Sequence, residues 1–428
     1  MRTTTASAAL ALFLALGIAP AAPAQEHAHH GAVGASVDDL VAIAKAMNPD
    51  LQVVALEADA AAARVEGAGS LMDPKVQVVY EDWPKNTTGG SFPNNSTSGV
   101  TKKLRVFQDL PFWGKRDLKR EIAEAGSRKA AVLKKQVEND LVAKVKSAYA
   151  EYHQAHLVID LARDLNGRLE TLSKLARARY GQSLGKQQDV TRVEVERSML
   201  QAEIARTQGE RAKARAKINR LLARPVDAPL VEAPAPRPIP PMESLDLPAL
   251  VARAQTANPD ILAQQAVIEG ADKSVGLAER SWYPDFEVGL GAVRRQGDLD
   301  SYEAMVTMNV PLRWGLRESE IGETKAMAAA ARARREARAI ELGNEVADAW
   351  IALKSAREVE TLLRESQLPQ AEIGFQTAAK SYELGRSEFV DVLMTEQQLW
   401  KSNIDLIKVQ FEQQMRLAEL EKLVGGEL

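Results

Sequence analysis

Residues 40–51 read LVAIAKAMNPDL, and residues 250–261 read LVARAQTANPDI. Seven of the twelve positions are identical, and the second stretch follows the first at an offset of 210 residues. The same offset relates Pro74 to Pro284, each of which precedes a segment of alternating apolar and polar residues. Because a pattern that recurs at a fixed period indicates a repeated architecture, we predict that the chain contains two copies of one fold.

Further landmarks keep the same order in both copies. The spacing from Tyr180 to Asp189 equals the spacing from Tyr382 to Asp391. A proline-rich stretch separates the copies, and such a stretch is extended and semi-rigid. We therefore divide the exported chain into a first repeat, a linker, a second repeat and a short tail, at residues 38–224, 225–245, 246–424 and 425–428.

The N-terminus has the pattern of a secretory signal peptide. Arg2 precedes an apolar run at 8–19, and the small residues Ala22 and Ala24 follow it. We predict a signal peptide at 1–24, a flexible stretch at 25–37 and export beyond the inner membrane. The net charge of -3 argues against a nucleic-acid partner. The sequence contains no cysteine, which excludes disulfides and thiolate metal sites.

Helical and strand-like periodicities alternate in the same way within each repeat. The Ala-rich composition of 37–70 and of 246–281 predicts that both segments are helical. Period-two alternation predicts four strands, at about 75–81, 101–110, 285–293 and 301–310. Long stretches of strong helix formers predict helices at 113–180, 187–223, 316–382 and 387–424. Polar loops are predicted at 82–99 and at about 294–300, and the second of these contains Arg294 and Arg295.

The four strands of one chain are too few to close a barrel, and an open sheet edge cannot face lipid. Closure needs several chains: two would supply eight strands and three would supply twelve. The fold class we predict is mainly α with a small β part. Long antiparallel helical hairpins form a periplasmic α-barrel, about 100 Å long, and the four strands contribute to a transmembrane β-barrel. The alternative is a soluble, exported coiled-coil rod that carries two small β-hairpins.

Three motifs resemble the TolC-type outer membrane factors. These are Asn-Pro-Asp after an Ala-rich helix, QDLPFWGK at 108–115, and YELGRSEFVDVL at 382–393. The resemblance covers about 38–424, and it depends on the ordered duplication more than on any one motif. QDLPFWGK and the EDWP stretch at 81–84 are most similar to the branch of the family that serves heavy-metal efflux pumps.

The resemblance implies a homotrimer in outer-membrane lipid, with a twelve-stranded barrel and a twelve-helix tunnel. It implies docking to a periplasmic adaptor (membrane fusion) protein and to an inner-membrane pump of the resistance–nodulation–division class. The chain would then be a passive exit duct for substrates, with heavy-metal cations as the candidate cargo. The alternative function is a soluble periplasmic adaptor or coiled-coil scaffold. An adaptor would show one helical hairpin, whereas this sequence shows two.

The resemblance also selects residues at the ends of the hairpins. Asp391 matches an aspartate that lines the periplasmic entrance in the family, and Asp189 occupies the equivalent place in the first repeat. A ring of such carboxylates would attract cations. The alternative is that both acids stabilise a helix N-terminus. Another acid of the family, one turn further on, is replaced here by Met394, which would thin the negative ring.

The turns between the helices are the candidate sites for docking of the adaptor. They contain two exposed leucines, two glycines and an arginine: Leu184, Gly185, Leu384, Gly385 and Arg386. A leucine at a hairpin tip has no core of its own to join, which favours docking. The alternative is ordinary turn chemistry, in which glycine supplies a positive φ.

Histidines supply the metal-binding candidates. His27, His29 and His30 cluster near the predicted cleavage site, where the alternative is a disordered terminus. His153 and His156 lie three residues apart and could share a metal on one helix face, although an exposed or packed helix surface is the favoured explanation. The sequence shows no catalytic constellation and no phosphate-binding glycine motif after a strand, so we expect neither an enzyme nor a bound cofactor.

Overall fold

The computed structural model describes residues 33–81, 101–231, 236–295 and 298–428. The predicted signal peptide, the His27, His29 and His30 cluster, and the predicted loop at 82–99 lie outside the described residues. In the first repeat the elements are α1 Val37–Met47, α2 Pro49–Gly69, β1 Lys75–Glu81, β2 Thr101–Leu110, α3 Lys115–Gly181 and α4 Gln187–Leu221. In the second they are α5 Leu247–Ala257, α6 Pro259–Glu279, β3 Phe286–Arg295, β4 Asp298–Met308, α7 Trp314–Leu362, α8 Leu368–Glu383 and α9 Phe389–Val424.

Both Ala-rich segments, predicted to be helical at 37–70 and 246–281, are helical, and the Asn-Pro pair divides each of them into two helices. Asn48 ends α1 in an extended conformation, and its side chain accepts a hydrogen bond from the backbone N–H of Asp50, at 2.8 Å. At the start of α6, the Asn258 side chain likewise accepts a hydrogen bond from the backbone N–H of Asp260, at 2.8 Å. Proline disfavours helical backbone in the residue before it, which explains why both helices break at the asparagine.

Each of these asparagines also joins the helix break to the end of its own repeat. The buried Asn48 side chain donates to the carbonyl of Leu221 at 2.9 Å, and Asn258 donates to the carbonyl of Leu423 at 2.7 Å. Both acceptors lie in the last turn of a returning helix, whose final carbonyls lack partners within the helix. The shared NPD motif therefore binds the beginning of each repeat to the end of its last helix.

The long helices form two hairpins. Helix α3 has 67 residues and is therefore about 100 Å long, and α4 returns beside it. The predicted second outgoing helix, at 316–382, is interrupted by a π-helical turn at Leu363–Gln367. Pro369 follows within the first turn of α8. Because proline lacks an N–H and crowds the carbonyl four residues earlier, the wider turn accommodates it. Among the helices of the described ranges, none has the length and apolar character needed to cross a membrane.

The strands of the described ranges form one antiparallel sheet in the order β1-β2-β3-β4, so the two repeats meet where β2 pairs with β3. One face is apolar and exposed: Val76, Val78, Leu104, Val106, Leu290, Tyr302 and Val306. The opposite face carries ion pairs that cross between strands, including Arg105 with Glu303 at 2.8 Å. Opposite-charge pairs across neighbouring strands stabilise a sheet.

The second β-hairpin is longer than the sequence predicts. Arg294 and Arg295 pair with Leu299 and Asp298 as part of the ladder, past an irregularity at Val293. The predicted loop at 294–300 is therefore wrong, because residues at both of its ends belong to strands. Two consecutive arginines interrupt the alternation of apolar and polar residues that predicts a strand. Charged residues nevertheless pair well at a solvent-exposed end of a ladder.

The apolar core follows the duplication. One cluster lies where α1 packs against α3 and α4 in the first repeat, and it includes Leu40, Val145 and Ile218. Its counterpart in the second repeat includes Leu250 and Val346. Another cluster lies towards the hairpin ends and draws on both repeats: Leu165, Leu169, Leu172, Val193, Leu200, Phe375, Tyr382, Phe389, Val392 and Leu399. The two hairpins are therefore packed against each other near their tips.

Candidate functional site: the paired hairpin tips

The two tips of the chain are turned by similar local geometry. At the first tip, Ser183 has a positive φ of 61°, and the N–H of Leu184 donates to the carbonyl of Arg179 at 2.8 Å. At the second, Gly385 has a φ of 70°, and the N–H of Arg386 donates to the carbonyl of Ser381 at 2.8 Å. Both turns satisfy carbonyls that a helix end leaves free.

Arg179 connects the first tip to the second. Its Nη1 donates to the carbonyls of Tyr382 and Glu383, at 2.7 and 3.2 Å, and its Nη2 donates to the carbonyl of Leu184 at 3.2 Å. The guanidinium also lies over the Tyr382 ring, 4.9 Å from the ring centroid. We call this set of interactions the tip contact. A planar guanidinium with several N–H groups suits such a site, whereas a lysine ammonium does not.

Other side chains surround the tip contact. Tyr382 is buried and packs edge-on against Phe389, with ring centroids 5.1 Å apart. Burial raises the pKa of Tyr382, and the negative charge of Asp189 raises it further, while Arg179 acts in the opposite direction. An exposed ion pair between Lys186 and Glu388, at 3.1 Å, adds a second connection between the tips.

The two candidate gate aspartates differ in their surroundings. Asp391 is exposed in the first turn of α9, where its carboxylate accepts a hydrogen bond from the backbone N–H of Glu388 at 3.3 Å. Asp189 occupies the first turn of α4 and is buried next to Tyr382. Both acids therefore lie at a helix N-terminus, where the backbone dipole favours a negative charge. Met394, which replaces an acid, is exposed on the same helix as Asp391.

The candidate docking residues are exposed at the tips. Leu184 and Leu384 retain 65% and 57% of their accessible surface, and Arg386 is also exposed. Gly185 is half-buried, and a Cβ there would lie 3.1 Å from the Cβ of Arg179. Gly385 needs its positive φ. The tips therefore offer two apolar side chains on turns whose backbone is defined.

The histidine pair lies far from the tips, in α3. Burial lowers the pKa of His153, and the neighbouring His156 lowers it further. Nε2 of His156 lies 3.1 Å from Oδ2 of Asp160 on the same helix. Within the described ranges, no group of three or more His, Asp or Glu side chains is arranged to hold a metal ion. The pair therefore gains no additional ligands from the fold.

Sequence reasoning missed Arg179, which makes the most contacts between the tips. It belongs to no motif, and its two acceptor carbonyls in the second tip lie more than 200 residues away in the sequence. Tyr382 served in the sequence only as a landmark of the repeat. The repeat does contain one usable signal, because Tyr180 and Tyr382 are equivalent, yet Tyr180 is exposed and Tyr382 is buried. The two tips are thus built asymmetrically.

Residues 40–224 and 250–426 match the family described as outer membrane efflux protein. The two matched segments are the two repeats, separated by the proline-rich linker. The chain belongs to the outer membrane efflux protein family. The sheet end of this outer membrane efflux protein is accordingly the membrane end, and the hairpins extend about 100 Å into the periplasm.

Comparisons with individual proteins agree with the family assignment. The chain is 22% identical over 393 residues to the cobalt-zinc-cadmium resistance protein CzcC of Cupriavidus metallidurans, which covers 91% of this chain and 90% of the relative. Its fold is similar to that of a membrane protein from Pseudomonas aeruginosa, with a TM-score of 0.80, 20% identity and coverage of 92% and 91%. The outer membrane protein VceC from Vibrio cholerae gives a TM-score of 0.77, 18% identity and coverage of 92% and 97%.

Proposed function

We propose that the chain is the passive exit duct of a tripartite efflux system, assembled as a homotrimer. The observation that carries this proposal is the duplicated unit of two strands and a long hairpin. The sheet of one chain has two open edges, β1 and β4. Such edges are satisfied in lipid only by pairing with other chains, and three copies would give a closed, even-numbered barrel of twelve strands.

The helices support the same assembly. Exposed apolar side chains run along the outgoing helix of the second hairpin at intervals of eleven residues: Ile340, Ile351, Leu362 and Ile373. An eleven-residue interval keeps side chains on nearly one face of a helix. An exposed apolar face of this kind packs well against a neighbouring helix. In a twelve-helix cylinder, a helix of the next protomer would pack there.

The partners follow from the position of the tips. Leu184 and Leu384 would meet a periplasmic adaptor, which would connect the duct to an inner-membrane pump of the resistance–nodulation–division class. The similarity to the cobalt-zinc-cadmium resistance protein supports heavy-metal cations as the cargo. The pump would choose that cargo and supply the energy.

The assembly is tested by fractionation of cells that express the chain. We expect the protein in the outer-membrane fraction as a trimer that resists SDS at room temperature and dissociates on heating, since a closed ladder of strand hydrogen bonds is hard to open. The rival function, a periplasmic adaptor or scaffold, requires recovery as a soluble monomer. That result would exclude the duct.

The aspartates of the entrance are tested by removing their charge and keeping their capping ability. Asparagine caps a helix about as well as aspartate, so Asp189→Asn combined with Asp391→Asn changes mainly the electrostatics. We expect weaker preference for cations over anions in planar bilayers, because a carboxylate ring attracts cations. Asp227→Asn, an exposed acid in the linker, is the matched control. Unaltered ion selectivity in the double variant would leave both acids as helix caps.

A further inference from the structure

A groove in the wall of the helical hairpins begins just beyond the tips. Side chains of α3, α4 and α9 surround a volume of about 730 Å³, which is in the range of small-molecule sites. At the end nearer the tips, apolar side chains of α4 and α9 lie among glutamates: Met199, Leu200, Trp400 and Ile404. Lysines and further glutamates line the other end. The groove therefore has the size of a small-molecule site, with one more apolar end and one charged end.

Glu396 lies in this apolar end. Its side chain is buried, with 1% of its surface exposed, and its Oε2 has no hydrogen-bond partner among the described residues. Burial raises its pKa to about 7, and the nearby carboxylate of Glu196 contributes to the shift. A buried carboxylate without a partner is costly. The cost is relieved when the carboxyl group takes up a proton or when a cation enters the groove.

The cationic side chains that line the groove cannot supply that charge. Lys408 lies twelve residues along α9 from Glu396, or about 18 Å, beyond the distance at which exposed charges interact strongly in salt. Lys217 is paired with Glu151 at 2.7 Å. Lys213 lies seventeen residues along α4 from Glu196, or about 26 Å, and is therefore also distant from the Glu396 end. At the end where Glu396 lies, the other lining acids are Glu196 and Glu203, so the local charge is negative.

The lining decides which kind of cation fits. A transition-metal ion needs several imidazole, thiolate or carboxylate ligands, and no such group of three is present in the described ranges. A hydrated inorganic ion would have to replace its water contacts with apolar walls. An organic cation with an apolar body gains from burial of that body, from an aromatic ring such as Trp400, and from the Glu396 carboxylate.

We propose that this groove binds a lipophilic organic cation, with Glu396 as the counter-ion and Trp400 in contact with its apolar body. The site goes beyond the duct function, since it lies within the wall of one protomer. It begins close to the entrance, because Glu396 follows Asp391 by five residues, or about 7.5 Å along α9. If the groove does not bind such a cation, the duct assignment still stands, because the test measures ligand binding and not transport.

The test is a calorimetric titration of the full-length protein in detergent with tetraphenylphosphonium, after subtraction of the same titration into detergent alone. We expect saturable binding that Glu396→Gln weakens by about tenfold or more, the effect of one lost charge interaction of about 1.4 kcal/mol. Triphenylphosphine oxide, an apolar molecule without the charge, should bind more weakly to the wild type and equally to both proteins.

Glu412→Gln is the matched control, because Glu412 is an exposed acid on the same helix. It should leave the affinity within about twofold, as expected for a surface charge. The proposal is overturned if the wild type shows no saturable binding, or if Glu396→Gln binds tetraphenylphosphonium as tightly as the wild type. It is also overturned if Zn²⁺, and not the organic cation, is the ligand whose binding Glu396→Gln abolishes.

Discussion

Replacement of Lys146 by alanine is expected to lower the free energy of unfolding by about 3–5 kcal/mol, the usual cost of removing one partner from a buried ion pair. The Lys146 side chain is 2% exposed, and its Nζ lies 2.9 Å from Glu421 and 3.1 Å from Glu427. Arg237 of the linker binds the same Glu421 carboxylate. One lysine thus connects the middle of α3 to the last turn of α9 and, through Glu421, to the linker.

The measurement is chemical or thermal unfolding of the purified protein, followed by helical circular dichroism. Lys144→Ala removes an exposed lysine from the same helix, two residues away, and should change the stability by no more than about 0.5 kcal/mol. A Lys146→Ala variant as stable as the Lys144→Ala control would show that Arg237 alone balances Glu421. In that case Lys146 would contribute nothing to joining the two repeats.

Arg179→Ala is expected to increase the open probability of the channel. The variant loses the tip contact, in which a charged donor makes hydrogen bonds to three carbonyls. Hydrogen bonds of charged groups contribute about 1.5–3 kcal/mol each. The loss of even one such bond would change the ratio of open to closed tips by about tenfold or more. Single-channel recording in planar bilayers measures that ratio.

Two further variants distinguish the hydrogen bonds of Arg179 from the effect of its positive charge. Arg179→Lys keeps a positive charge near the Tyr382 ring but cannot reach all three carbonyls, so an intermediate open probability is expected. Arg177→Ala removes an exposed arginine that pairs with Glu194 at 2.9 Å and takes no part in the contact between the tips. Equal open probabilities for Arg179→Ala and Arg177→Ala would show that the tip contact does not hold the entrance closed.

The repeat and the class of fold could be predicted because their signals are local. NPD motifs, alternating strands and long runs of helix formers are all read within windows of a few residues. The helix break at Asn48 has an equally local cause, because Pro49 follows it. The π-helical turn before Pro369 was missed because proline in a strong helical pattern signals a disturbance without specifying its form.

The interactions of the site could not be predicted because they join residues that are distant in the sequence. Two of the three acceptors of Arg179 lie in the second repeat, and the partner of the Asn48 amide is 173 residues away. The burial of Glu396 depends on the packing of α4 and α9, which belong to different repeats. Equivalent positions such as Tyr180 and Tyr382 also differ in burial, so the duplicated pattern alone does not assign their roles.

The most direct test of the central claim, that this outer membrane efflux protein is a duct, is the electrical conductance of the purified chain in planar lipid bilayers. A twelve-stranded barrel continuous with a hollow helical cylinder would conduct ions. The account predicts discrete conductance steps of uniform size that appear as trimers insert, with larger open probability in Arg179→Ala. Trimers that insert into the bilayer and give no conductance steps, in the wild type and in Arg179→Ala alike, would contradict it.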